Sequence, residues 1–178
     1  MVAAGRSTEI AAAIAAAAPD LPVQLVGRIG DDPVADAVLG DLSRRRVGHV
    51  AILRDAAHPT PPAVSPSDPG NGDREGLDLD AQDVALALRY LTDIAVVVVT
   101  PGLSSAVLAA ISEAGGWSGA AVLLVGPAIA ADSVAVQPAA MAGAVAIAID
   151  PESGESGAAF ASRVAAVAVH EATLRSAR

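Results

Sequence analysis

The sequence predicts an α/β fold, a three-layer α/β/α sandwich built on a mainly parallel sheet. Three observations carry this. Short apolar stretches alternate with longer segments of helical periodicity along the chain. The most strand-like of them, Ile94 to Val99, is continuously apolar and β-branched, the pattern of a parallel strand covered on both faces. At 178 residues the chain is long enough for one domain, 1–178, with a single sizeable core.

The elements follow in order. Ser7 or Thr8 caps a helix whose alanine-rich body ends before Pro19. Leu21 to Val26 is a short buried strand, and Gly27 to Pro33 a turn in which Pro33 suits the first position of a second helix. That helix runs to about Arg46, with Val34, Val38, Leu39 and Leu42 on one face. Arg44, Arg45 and Arg46 read as a solvated helix end favoured by the dipole, with a phosphate clamp as the alternative. Val50 to Leu53 is the next strand.

From Asp55 to Asp78 the chain is crowded with prolines and carries Gly70, Gly72 and Gly76, which predicts a long surface loop. Asp80 caps a helix bearing Val84, Leu86, Leu88 and Leu91. After the Ile94 to Val99 strand come a helix from Ser104 to Ala114, a strand from Ala120 to Val125, a poorly defined segment from Pro127 to Met141, and a strand from Val145 to Ile149. A helix from about Glu155 to Leu174 closes the chain. Trp117, between glycines, reads as a local hydrophobic plug, with a contact anchor as the alternative.

Composition narrows the function. The core must be built from Ala, Val, Leu and Ile, because Tyr90, Trp117 and Phe160 are the only aromatic residues; base stacking has little to use. The net charge of −9 argues against nucleic acid as a partner. All 11 bases are Arg, so Schiff-base and Walker-type lysine chemistry is excluded. With no Cys and three scattered His, no metal site is expected. No run approaches about 18 uninterrupted apolar residues and no secretory pattern opens the chain, so no membrane partner is expected and a cytoplasmic location is.

The turn Asp150 to Phe160 joins an apolar strand to the closing helix. Glycines let backbone N–H groups converge on a ligand, and a helix N-terminus adds about half a positive charge, so Gly154, Ser156 and Gly157 are the candidate anion or phosphate site.

The run Val26-Gly27-Arg28-Ile29-Gly30-Asp31-Asp32-Pro33, followed by Leu42, Gly48-His49-Val50 and Pro59-Thr60, resembles the amino-terminal pattern of the PfkB (ribokinase-like) carbohydrate kinases. Gly5 to Ala11 sits where that family starts its sugar-binding helix, and Asp150 to Phe160 sits on its second signature, D-T-x-G-A-G-D-x-F. The resemblance implies a ribokinase-like fold and, for an active member, ATP and Mg2+ as cofactors with a sugar or nucleotide as ligand. It also implies departures. The usual first strand with its sugar-binding Asp is absent, and the lid is reduced to the loop 55–78 with a remnant at Asn71 to Glu75. The sugar-binding Asn is replaced by Glu9, and with Asn71 as the lone Asn the N-x-x-E element is missing. The catalytic aspartate position is occupied by Ala158, which cannot accept a proton.

The expectation is therefore a degenerate homologue that has lost phosphotransfer and acts as a binding, regulatory or structural protein, a pseudokinase. The alternative is an active small-molecule kinase with a substitute carboxylate. Glu155 is the nearest substitute base, but a first-turn glutamate equally complements the helix dipole. Asp150 is a second candidate, with a turn-forming role before Pro151 as its alternative. Glu9 and Asp31 are the candidate substrate-binding residues; Asp31 and Asp32 either hold a cation or cap the helix at Pro33. The missing strand and lid leave a sheet edge to cover, and a homo-oligomer is expected.

Overall fold

The computed structural model describes residues 6–60, 79–100, 102–125 and 146–177. Most of the proline-rich stretch, 61–78, and the segment 126–145 lie outside the described residues, and with them the Asn71 to Glu75 remnant. The chain is α/β, as expected, and its described strand pairs are parallel. It groups into two compact units, the first comprising 1–79 with 156–165 and the second 80–155 with 166–178.

The first unit carries α1 (Arg6–Ala17), β1 (Val23–Gly30), α2 (Pro33–Arg44) and β2 (Val47–Asp55). Strand β1 pairs with β2 from Val23 opposite Val47 to Gly30 opposite Asp55. This corrects the sequence reading, which ended the strand at Val26 and gave Gly27 to Gly30 to a turn. Glycine propensity is weak against a ladder of main-chain hydrogen bonds, and the chain turns only at Asp31-Asp32. Ala11, Ala15, Leu25, Leu42 and Val47 form the buried centre, with Val23, Val38, Leu39 and Ile52 packed against it. Arg44 and Arg45 both pair with Asp41 at the solvated end of α2.

The second unit carries α3 (Ala81–Tyr90), β3 (Val96–Val99), α4 (Ser105–Ser118), β4 (Ala121–Val125) and β5 (Ala146–Ile149), with strand order β3-β4-β5. Strand β4 is buried along its whole length, as its central place requires. Asp80 caps α3 by accepting from Asp83 N at 2.7 Å, and Ser104 caps α4 by accepting from Val107 N at 3.3 Å. Helix α4 does not stop at Ala114. It continues through Gly115, which is buried, and ends where Gly119 turns left-handed at φ 68° and donates to the carbonyl of Gly116. Trp117 is thereby carried on helix and is 87% exposed, so the plug reading is corrected.

Helix α5 (Gly157–Ser176) closes the chain. It buries Phe160, Ala161, Val164, Ala165, Ala168 and Ala172. This is a stripe at helical spacing, made mostly of small residues that permit close approach. No helix among the described residues is long and apolar enough to cross a membrane.

Candidate functional site

Two stretches bear on the site expectations. The first is where β1 and β2 end, the edge at which open parallel sheets place ligands. Asp32 Oδ1 accepts from Ala35 N at 2.8 Å and caps α2, while its Oδ2 accepts from Thr60 N at 2.6 Å. Thr60 is buried and returns the contact: its Oγ1 accepts from Gly30 N at 3.0 Å. The Gly30-Asp31-Asp32 turn and the Pro59-Thr60 pair are thus one closed clasp. Asp31 is held by Arg54 at 2.7 Å, and the other arm of Arg54 binds Asp36. Asp55 accepts from Ala57 N at 2.8 Å and lies 3.1 Å from His58 Nδ1.

This geometry favours the capping reading of the aspartate pair: Asp32 caps α2 and clasps Thr60, and Asp31 pairs with Arg54. Among the described residues no group of three acidic or imidazole side chains could hold a metal ion. The sequence reading missed Arg54 and Asp36. The available signal was a charged residue ending the apolar run Ala51 to Leu53; its partners are set by strand register, where Arg54 lies opposite Ile29, two residues before Asp31.

The clasp also sets an acid sensitivity. Hydrogen bonds from Thr60 N and then Ala35 N hold the Asp32 carboxyl below its ordinary value of 3.8. Asp55 is lowered by Ala57 N and then by His58. A carboxylate depressed in the folded chain stabilises it fully above the unfolded value, and that contribution fades as pH falls through the lowered folded value. Melting temperature is therefore expected to hold down to about pH 4 and fall below it. Asp32→Asn should melt lower at neutral pH with a flatter acid limb; an acid limb as steep as the parent's would exclude Asp32 from the linkage.

The second stretch is the turn after β5. Ile149 is buried and Asp150 exposed. Gly154 sits at φ 81°, the left-handed region that favours glycine. Glu155 N donates to the Glu152 carbonyl at 3.0 Å, and Glu155 Oε2 accepts from Glu152 N at 3.0 Å, so the Glu155 carboxylate closes its own turn. The helix begins later than expected: Ser156 is its cap, with Oγ accepting from Ala159 N at 3.2 Å and its carbonyl accepting from Phe160 N at 3.0 Å. A serine hydroxyl is the stronger cap, which leaves Glu155 ahead of the helix rather than in its first turn.

Gly157 and Ala158 are the first two helical residues, both exposed. Glu9, from the first turn of α1, brings Oε2 to 3.6 Å from where a Gly157 Cβ would stand. A carboxylate thus already faces the positive end of α5. Of the candidate residues, Glu9 and Gly157 are brought together within the first unit; Asp31 is instead committed to Arg54 at the end of β1. An open groove of about 640 Å3 lies where β1 and β2 begin, opposite to the clasp, with Ser43 Oγ 3.0 Å from His49 Nε2 on its wall.

Comparison with solved structures gives the class of fold. An E. coli protein assigned as ribokinase II and crystallised in its apo form is similar, with a TM-score of 0.59 and 16% identity over 94% of this chain and 59% of that one. The crystal structure of Sa239 is similar with a TM-score of 0.53 and 19% identity over 70% of this chain and 42% of that one. The fold is ribokinase-like, and this chain spans about half the length of the structures it matches. No family model and no curated protein sequence matches it.

Proposed function

We propose that this chain is a homologue of the PfkB carbohydrate kinases that has lost phosphotransfer and acts as a binding, regulatory or structural protein. The observation that carries this reading is the start of α5. The position that the resemblance gives to the catalytic aspartate is Ala158, an exposed first-turn residue with no proton acceptor. Loss of a general base typically forfeits about 10²–10⁴-fold in rate. The nearest carboxylate in sequence, Glu155, accepts from Glu152 N instead of extending the helix. Glu9 adds like charge against an incoming phosphate at the start of α5.

The test is direct. Purified chain with ATP and Mg2+ and a panel of sugars and nucleosides is expected to transfer no phosphate above a protein-free control. Transfer to any acceptor, abolished by Glu155→Gln, would establish the active-kinase reading instead, with Glu155 as the base. A binding role that survives without chemistry is expected to show as a rise in melting temperature with a sugar or nucleotide, following RT ln(1 + [L]/Kd).

A further inference from the structure

Two of the three aromatic residues of this chain are exposed, and both lie in the second unit: Tyr90 is 77% exposed and Trp117 is 87% exposed. Topology explains where they are. Strands β3, β4 and β5 are parallel, so α4, which leaves the end of β3 and returns to the start of β4, must run against them and finish at the edge where they begin. Helix α3 packs along α4, and its last residue, Tyr90, stands just ahead of β3, at the same edge. Helix α5 ends there too, because Arg175 Nε donates to the carbonyl of Gly119, the residue that stops α4, at 3.1 Å. Leu174 beside it is 49% exposed, and Leu86, one turn before Tyr90, is 53% exposed.

Single exposed apolar residues are ordinary on a protein surface; three helix ends at one sheet edge that each carry a large one are not. Trp and Tyr are the residues that anchor protein interfaces. At about 150–250 Å2 for each aromatic ring, the four side chains together offer on the order of 500 Å2. A standard interface buries about 800 Å2 per partner.

The charges flanking the patch favour a second copy of this chain as its occupant. Arg89 is exposed beside Tyr90 on α3, and Glu113 is exposed one turn before Trp117 on α4. A twofold axis that lays α3 of one copy across α4 of the other sets Arg89 against Glu113 twice, which makes the patch self-complementary. The chain as a whole carries −9, so copies repel over most of their surface. On these helix ends Arg89 offsets Glu113 and Glu171 pairs with Arg175 at 2.6 Å, so that among the described residues the exposed Asp93 is the one acid there without such an offset in sign.

We infer that the edge bearing Leu86, Tyr90, Trp117 and Leu174 is the contact through which two copies of this chain associate. This is independent of the fate of phosphotransfer. Trp117 is the sole Trp, so its emission reports the contact directly. Sedimentation equilibrium of the full chain is expected to give twice the mass of 17.5 kDa. As concentration rises through the association, Trp117 emission should move to shorter wavelength and its quenching by acrylamide should fall. Leu86→Glu with Tyr90→Glu is expected to give a single chain with the parent's circular dichroism. Arg89→Glu should weaken the dimer several-fold, and adding Glu113→Arg should restore it; this exchange decides the matter if the first pair impairs folding.

A single-chain mass at every concentration overturns the inference and leaves the edge to a different partner. A dimer in which Trp117 stays fully quenchable overturns it by placing the contact elsewhere. So does an Arg89→Glu chain that associates as the parent does.

Discussion

Phe160→Ala is expected to lower the stability of the chain by about 3–5 kcal/mol, the range for emptying a buried aromatic site. Phe160 is the single Phe of the sequence and is only 3% exposed, in a chain whose core is otherwise aliphatic. It stands in the first turn of α5, where its amide bonds the cap residue Ser156 and the Arg163 guanidinium lies 5.4 Å from its ring centroid. Small alanines follow it along the buried stripe of α5 and have little reach with which to refill the space. Urea unfolding followed by circular dichroism measures the loss. Phe160→Leu keeps most of the volume and should lose less than about 1.5 kcal/mol. A loss below about 1 kcal/mol for the alanine variant would mean that the ring is not part of the core.

Gly30→Ala is the second large effect, expected at about 3 kcal/mol, the upper end for forcing atoms into a packed site. A Cβ at position 30 would stand 2.5 Å from the backbone nitrogen of Thr60, 2.7 Å from the His58 carbonyl oxygen and 2.8 Å from Asp32 Oδ2. Two of these are main-chain atoms, which cannot rotate away. Relief requires the His58 to Thr60 backbone to withdraw, and the bonds from Gly30 N to Thr60 Oγ1 and from Thr60 N to Asp32 go with it. Gly40→Ala is the control of opposite sign. Gly40 lies inside α2, and the nearest atom to an added Cβ is the tip of Arg44 at 3.6 Å. Alanine there should stabilise by about 0.5–1 kcal/mol. Equal responses at the two positions would mean that the clasp imposes no steric demand.

Much of the fold was legible because its signals are local. The apolar run before Thr100 is β3, and Asp32, Asp80 and Ser104 cap helices as short polar residues ahead of helical periodicity should. What was not legible depends on residues far apart in sequence. Gly27 to Gly30 read as a turn because the pairing strand that holds them extended lies some 25 residues onward. Gly115-Gly116 read as a helix stop because the αL cap that ends α4, Gly119, comes later. Glu155 and Ser156 both suit a helix start by composition, and only geometry shows that Ser156 caps while Glu155 folds back on Glu152. The alanine at position 158 was readable from the residue itself; the approach of Glu9 to Gly157 was not, since 148 positions separate them.

That separation bears on the order of synthesis. The first unit takes residues 1–79 together with 156–165, so it is assembled from two stretches separated in synthesis by the whole of 80–155. A nascent chain that has delivered β1, β2 and the clasp still lacks Phe160 and the start of α5. The stretch 1–79 must wait with that face open until 156–165 emerges, whereas β3, α4 and β4 are contiguous and can pair as they appear. Chains cut short before Ser156 would therefore lose part of the first unit as well as the end of the second.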